Sequence, residues 1–291
     1  MNMKNKILIG LVLLVGFTSC GQYNKLLKSS DINYKYEAAK AYYAEGKYSQ
    51  ASTLLNSLVT VFKGTDKAEE SLYMLGMCYY EKEYYQQSYD TFKKYYTTYP
   101  KGSYSAEARF YAGKSLADST PEARLDQSST YLAIQELQQL LEYFPQTSKK
   151  DEAQDIIFEL ENKLVEKEFL SAKLYYNLGN YMGINNYESC VITAQNALKN
   201  FPFTHYREEL AILILRSKYQ SAQFSVDYKK AQRYRDVADE CYAFKVDFPD
   251  SKYIKEADRL LDDANKKIAK LPTNQLQELR RGEKSNNYGA Q

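Results

Sequence analysis

The chain of 291 residues has no tryptophan, four cysteines and a single histidine, His205. One histidine cannot supply the histidine pair of a zinc helix, and the sequence has neither a Cys-x-x-Cys motif nor a Gly-rich phosphate loop. Adjacent acidic pairs such as Glu69-Glu70 would point about 100° apart on a helix, which suits solvated side chains rather than acid/base partners. The sequence therefore predicts a protein that is not an enzyme and that uses no cofactor and no metal.

An excess of charge of one sign is also missing, since 39 basic residues stand against 37 acidic ones. Removal of residues 1–19, which contain two lysines and no acidic residue, would bring the formal charge to zero. A chain without a basic excess is poorly suited to bind phosphate backbones. We therefore expect no nucleic acid among its partners.

The apolar run at residues 7–17 is shorter than the roughly 20 residues that cross a bilayer. It follows two lysines and leads into Thr18-Ser19-Cys20, which is the layout of a secretory signal. Phe-Thr-Ser-Cys resembles a bacterial lipobox, in which cleavage precedes the cysteine and its thiol receives a lipid. We expect a lipoprotein signal peptide at 1–19 and a linker at 20–30 that is anchored through acyl chains on Cys20. An ordinary signal with an incidental cysteine is the alternative.

No acidic residue follows Cys20 in Gly21-Gln22-Tyr23. By analogy with other lipoproteins, an aspartate there favours the inner membrane, and an acidic run favours export to the cell surface. The sequence thus indicates the outer membrane, with the protein facing the periplasm.

Three cysteines remain in the expected mature chain beyond the lipidated one: Cys78, Cys190 and Cys241. An odd number with wide spacing is not a disulfide framework. All three occupy predicted helix-packing positions, where cysteine behaves as a small hydrophobic residue. A bridge between Cys190 and Cys241 stays open at this point.

Proline is scarce, and four of the six prolines follow an aromatic residue: Tyr99-Pro100, Phe144-Pro145, Phe201-Pro202 and Phe248-Pro249. A glutamate stands seven residues after each of these prolines, and Phe62-Lys63 leads to Glu70 in the same way without a proline. Proline cannot continue a helix and restricts the residue before it, whereas glutamate suits the start of the next helix. Each copy predicts a junction between two helices, and the recurrence indicates a helical repeat array.

The apolar positions of the second unit resemble the tetratricopeptide repeat (TPR): Leu72, Leu75-Gly76, Tyr79, Tyr85, Ser88, Phe92, Tyr95 and Pro100. The small residues Ala51, Ser88, Ala133 and Cys190 would let the second helix of a pair approach the first. We predict an all-α, TPR-like superhelical solenoid of about five helix pairs plus a C-terminal capping helix. The expected repeats are 31–63, 68–100, 105–145, 170–202 and 206–249, followed by a cap at 252–270 and a flexible polar tail at 271–291. An irregular helical bundle is the alternative.

The combination of a lipobox, five repeats and an insertion in the third repeat resembles the BamD-type lipoproteins of the β-barrel assembly (BAM) machinery. The closest stretches are Tyr-Glu-Ala-Ala-Lys-Ala-Tyr-Tyr-Ala-Glu-Gly-Lys-Tyr-Ser-Gln-Ala at 36–51 and Leu-Gln-Gln-Leu-Leu-Glu-Tyr-Phe-Pro at 137–145. A long helix expected around 158–169 also fits. The resemblance covers about residues 20–270.

This resemblance implies an outer-membrane scaffold that binds the periplasmic POTRA domains of a BamA-type Omp85 barrel, nascent outer-membrane β-barrel proteins and other BAM subunits. It also implies that the barrel contact lies in the fourth and fifth repeats, at about 175–250. Alternatives are another periplasmic TPR lipoprotein, either a CpoB/YbgF-like envelope coordinator or a SusD-like uptake component. A periplasmic enzyme with a helical accessory domain would need residues that the sequence lacks.

In TPR arrays the first helix of each pair lines an inner groove. Applied to the first three repeats, this rule predicts an aromatic strip with two lysines, and Tyr, Met and Lys suit the aromatic C-terminal residue and free carboxylate of a barrel protein. The predicted groove residues are Tyr36, Lys40, Tyr43, Tyr73, Met77, Tyr80, Phe110 and Lys114. Tyrosine packed only between helices is the alternative, since the chain has 30 tyrosines.

Overall fold

A computed structural model describes residues 23–270. Residues 1–19 with the predicted signal peptide, Cys20 and the tail at 271–291, on which several predictions depend, lie outside these residues. After a helical turn at 23–28, eleven helices follow in the described part of the chain. They are α1 (Ile32–Ala44), α2 (Tyr48–Val61), α3 (Lys67–Glu81), α4 (Tyr85–Thr98), α5 (Ser105–Asp118), α6 (Ser128–Tyr143), α7 (Lys150–Leu178), α8 (Asn186–Asn200), α9 (Arg207–Gln223), α10 (Asp227–Asp247) and α11 (Ile254–Ala269). Between α7 and α8, strands β1 (Asn180–Tyr181) and β2 (Ile184–Asn185) form an antiparallel hairpin.

The helices end where the aromatic-proline pairs predict. Each of α4, α6, α8 and α10 stops one residue before the aromatic residue, whose backbone leaves the helical region at φ −124 to −135° and ψ 63 to 71°. The N–H of that aromatic residue still donates to the carbonyl four residues earlier. The aromatic residue therefore closes one helix while the proline prevents its continuation.

Small residues permit close crossing of the paired helices. The predicted packing residues Ala51, Ser88, Ala133 and Cys190 are all fully buried. A Cβ at Gly76 would lie 2.7 Å from Cε1 of the Phe92 ring, so only glycine fits there without displacing the ring. These features confirm the predicted all-α, TPR-like class.

The described chain divides into two compact units. Unit 1 comprises residues 23–120 and 127–157, and unit 2 comprises 121–126 and 158–270. Leu54, Leu55 and Phe92 are fully buried in unit 1, as are Val165, Leu210 and Phe244 in unit 2. Each unit therefore has its own buried core.

The fourth repeat differs from its predicted form. Its first helix is part of α7, which runs without a break for 29 residues from Lys150. Leu174 and Tyr181, which fall on the apolar spacing of a fourth repeat, are 57% and 59% exposed, and Tyr181 lies in β1 rather than in a helix. The helix ends at Leu178 because Gly179 adopts a positive φ of 55°, and Gly183 at φ 80° then turns the hairpin.

The three cysteines of the described region are free and buried. Burial raises the pKa of the Cys78 and Cys241 thiols to about 12 and also raises the pKa of Cys190. In the structure Cys190 and Cys241 therefore act as packing residues and not as a bridge.

Candidate interaction surfaces

The first helices of the three pairs in unit 1, α1, α3 and α5, bring tyrosines together on one face. The rings of Tyr73 and Tyr104 stack with centroids 4.4 Å apart, and those of Tyr80 and Tyr111 meet edge to face at 5.2 Å. Tyr43 lies close enough that its phenol contributes to the raised pKa of Tyr73. We call these five half-buried residues the tyrosine face.

Burial dominates the electrostatics of the tyrosine face. It raises the pKa of Tyr43 to about 12 and is also the main cause of the raised pKa values of Tyr73 and Tyr80. Tyr80 additionally donates a hydrogen bond of 2.7 Å to Asp118, which holds its phenol protonated. At neutral pH Tyr43, Tyr73 and Tyr80 therefore present uncharged rings and hydroxyl groups.

Three of the predicted groove side chains do not line an open surface. Tyr36, Met77 and Phe110 are only 3%, 7% and 0% exposed. Tyr36 donates a hydrogen bond to Glu70 and packs edge to face against Phe62 at 5.3 Å. These side chains cannot reach a ligand in this structure, because they fill the space between helices.

Both predicted lysines are already paired with glutamates. Lys40 Nζ lies 2.8 Å from Glu70, and Lys114 Nζ lies 3.5 Å from Glu152. Burial alone would raise the pKa of the Glu70 carboxyl, but hydrogen bonds from Lys40 and Tyr36 lower it. A carboxylate of a ligand must therefore compete with a glutamate for either lysine.

Sequence reasoning missed Lys149, Tyr104 and Tyr111. Lys149 precedes α7, contacts Glu152 at 2.8 Å and lies 4.9 Å over the Phe110 ring. The tyrosines could have been found from a spacing of seven residues, which places Tyr104 and Tyr111 on one side of α5 in the way that Tyr73 and Tyr80 share one side of α3.

Apolar side chains are exposed on two neighbouring loops of unit 2. Met182 at the tip of the hairpin is 83% exposed, and Tyr228 beside the loop between α9 and α10 is 71% exposed. Stacking of Tyr187 on Phe224, with parallel rings 6.4 Å apart, and a 3.0 Å hydrogen bond from Asn185 to Ser221 join the two loops. We call the exposed residues the apolar loop surface: Tyr181, Met182, Ile184, Phe224, Val226 and Tyr228.

The backbone at the tip of this surface is strained. Met182 has φ 51°, a left-handed conformation that favours Gly, Asn or Asp. An apolar side chain that is both exposed and held in such a conformation is a feature of interaction sites more than of folding.

The described residues contain no group of three or more His, Cys, Asp or Glu side chains that could hold a metal ion. His205 is exposed, lies 3.8 Å from Glu159 and packs edge to face against Phe158. None of the helices between residues 23 and 270 combines the length and apolarity that a bilayer crossing requires.

These helix pairs place the chain in the class of TPR-like repeat proteins. Within this class, a family model described as "Outer membrane lipoprotein", the YfiO family, matches residues 29–233. The match covers more than half of the chain, and the protein belongs to this BamD/YfiO-type family. A comparison of this chain with curated proteins finds no match.

Proposed function

We propose that this protein is a non-enzymatic scaffold of the BAM complex, anchored in the outer membrane through Cys20 and facing the periplasm. It binds the POTRA domains of a BamA-type barrel, receives nascent outer-membrane proteins and works with other BAM subunits. The observation that carries this proposal is the family match over residues 29–233.

The apolar loop surface of unit 2 supports a contact with the barrel at about 175–250. Six apolar side chains, each more than half exposed, stand on two loops that contact each other. Exposed apolar patches of this kind mark protein interaction sites. We assign the POTRA contact to this surface.

The decisive experiment is affinity purification of the tagged lipoprotein from detergent-solubilised outer membranes, followed by mass spectrometry. We expect an Omp85-type barrel among the recovered proteins. The Cys20→Ala variant should no longer fractionate with the outer membrane. Recovery of Tol-Pal components or of a glycan importer in place of the barrel would contradict the proposal.

The tyrosine face of unit 1 is assigned to the C-terminal segment of a nascent barrel protein. Tyr43, Tyr73 and Tyr80 remain from the predicted groove, and Tyr104 and Tyr111 extend them. Of the two predicted lysines, Lys114 is better placed than Lys40 to bind a terminal carboxylate, because Lys149 provides a second ammonium group beside Glu152. At the other end, Lys40 is the one lysine that forms an ion pair with Glu70 among the described residues.

A fluorescent peptide that copies a barrel C-terminus tests this assignment. Tyr43→Ala combined with Tyr80→Ala should weaken binding about tenfold or more, because aromatic anchors contribute roughly 1–2 kcal/mol each. Lys149→Gln should weaken binding of the free-acid peptide but not of its C-terminal amide. Tyr131→Ala, at an exposed tyrosine outside the face, is the matched control. Equal affinity of all variants would place the substrate elsewhere.

A further inference from the structure

Unit 2 contains a cleft of about 470 Å³ that is lined by α8, α9 and α10. Its apolar lining is provided by Tyr187, Val191 and Ala243. This volume is in the range of sites that accept a side chain or a small ligand.

The charges that line the cleft are unevenly matched, with four acidic and two basic side chains. Lys218 Nζ lies 2.5 Å from Glu240, and Arg233 donates to the carbonyl of Ser221 at 3.2 Å. Both basic groups are thus engaged within the chain.

The other three carboxylates of the cleft form no ion pair within the part of the chain that the structure describes. Glu188 and Asp239 are exposed, and Asp236 accepts a hydrogen bond of 2.9 Å from the neutral amide of Gln232. The Arg233 guanidinium keeps its positive charge and offsets one of these three carboxylates, so the four acidic and two basic side chains leave the lining with a net charge of −2. The cleft therefore combines an apolar lining with an excess of negative charge, which favours a cationic occupant.

The cleft adjoins the apolar loop surface. Tyr187 lines the cleft and stacks on Phe224, and Ser221 lines it and accepts the hydrogen bond from Asn185. A partner segment that covers the apolar loop surface can therefore extend into the cleft while it stays in contact with the surface of unit 2.

We propose that the cleft binds an arginine side chain of the partner segment that docks on the apolar loop surface. A guanidinium group stacks on an aromatic ring such as that of Tyr187 and forms paired hydrogen bonds with a carboxylate such as Asp239. Its methylene stem packs on apolar groups such as Val191. This inference rests on the proposed function for its partner, but the binding of the side chain can be tested separately.

The direct test uses the full mature chain in detergent, with N-acetyl-arginine methylamide as the probe. Saturation-transfer NMR should detect binding of this probe but not of N-acetyl-citrulline methylamide, which has a similar shape and no charge. Asp236→Asn combined with Asp239→Asn should remove the signal, whereas Asp262→Asn on α11 should preserve it. Absence of arginine binding, or equal binding of citrulline, would overturn the inference.

Copurification of the barrel separates this inference from the proposed function. Asp236→Lys with Asp239→Lys should reduce the recovered barrel about tenfold, while Asp262→Lys should leave it unchanged. If Met182→Asp abolishes recovery and the double lysine variant does not, the docking surface stands and the arginine site is wrong. If no variant in unit 2 affects recovery, the docking assignment is wrong. The titration with the arginine probe then decides whether the cleft binds arginine.

Discussion

Gly76 shows how little room the crossings between paired helices leave. In a helix, alanine is favoured over glycine by about 1 kcal/mol. The added Cβ would nevertheless lie 2.7 Å from the fully buried Phe92 ring, and such overpacking costs about 1–3 kcal/mol. We therefore expect Gly76→Ala to lower the free energy of unfolding, as measured with urea.

The same substitution in a Phe92→Leu background should be neutral or stabilising, because the ring that blocks the methyl group is gone. The difference between the two backgrounds gives the coupling energy of the pair. A similar loss of stability in both backgrounds would show that the contact with Phe92 is not the cause.

Glu70 gives unit 1 a dependence on pH. The folded-state pKa of its carboxyl lies below the ordinary value of 4.5, so its interactions contribute stability above that pH and lose it as the pH falls through the folded pKa. The group is about one-third exposed, which limits the contribution to about 1 kcal/mol.

Glu70→Gln should therefore lower the free energy of unfolding at neutral pH and have little effect at pH values below the folded pKa. Urea unfolding at several pH values measures this difference. Glu142→Gln, at an exposed carboxylate, is the control. An equal loss at all pH values would assign the effect to packing rather than to charge.

At the scale of elements, a change in the hairpin between α7 and α8 should affect the stability of the fold and the binding of the barrel in opposite directions. Asparagine adopts a left-handed backbone more readily than methionine, so Met182→Asn should stabilise the fold by up to about 1 kcal/mol. The same change removes an exposed apolar side chain and should reduce recovery of the barrel. The melting temperature should thus rise while the amount of copurified barrel falls.

The ends of elements were predictable where a single residue type determines them. Proline after an aromatic residue stops four helices, and no packing information is needed to see it. The hairpin was not predictable, because it depends on positive φ angles at Gly179 and Gly183 within a stretch whose apolar spacing also suits a helix. The long helix α7 was expected at 158–169, but its extension to Lys150 and Leu178 was not, since no proline or glycine marks where the fourth repeat begins.

The interaction face was predicted in part. Tyr43, Tyr73 and Tyr80 lie on it, but in α5 the repeat rule selected Phe110 where the structure places Tyr111. One residue along a helix is a rotation of about 100°, so a shift of one position exchanges a surface side chain for a buried one. The pairing of each lysine with a glutamate of a following helix depends on tertiary contacts and has no local signal.

At the scale of the whole molecule, the division into two units predicts that unit 1 folds alone. A chain truncated after Ile157 keeps a complete core and should unfold cooperatively, as measured by circular dichroism. Truncation after Leu170 instead leaves Val165 without its partners in unit 2, such as Cys190 and Leu210, and should increase aggregation. Neither fragment should recover the barrel, since both lack the apolar loop surface.

The tyrosine face also offers a position for an intrinsic fluorescence probe. Because the chain has no tryptophan, a single one introduced at Tyr111 would be the only indole emitter. Its neighbour Tyr80, with a ring centroid 5.2 Å from that of Tyr111, is near enough for efficient energy transfer from tyrosine to the indole. Binding of a peptide to this face would change both the emission wavelength of the indole and the efficiency of energy transfer. Peptide binding could therefore be followed in solution without an attached dye.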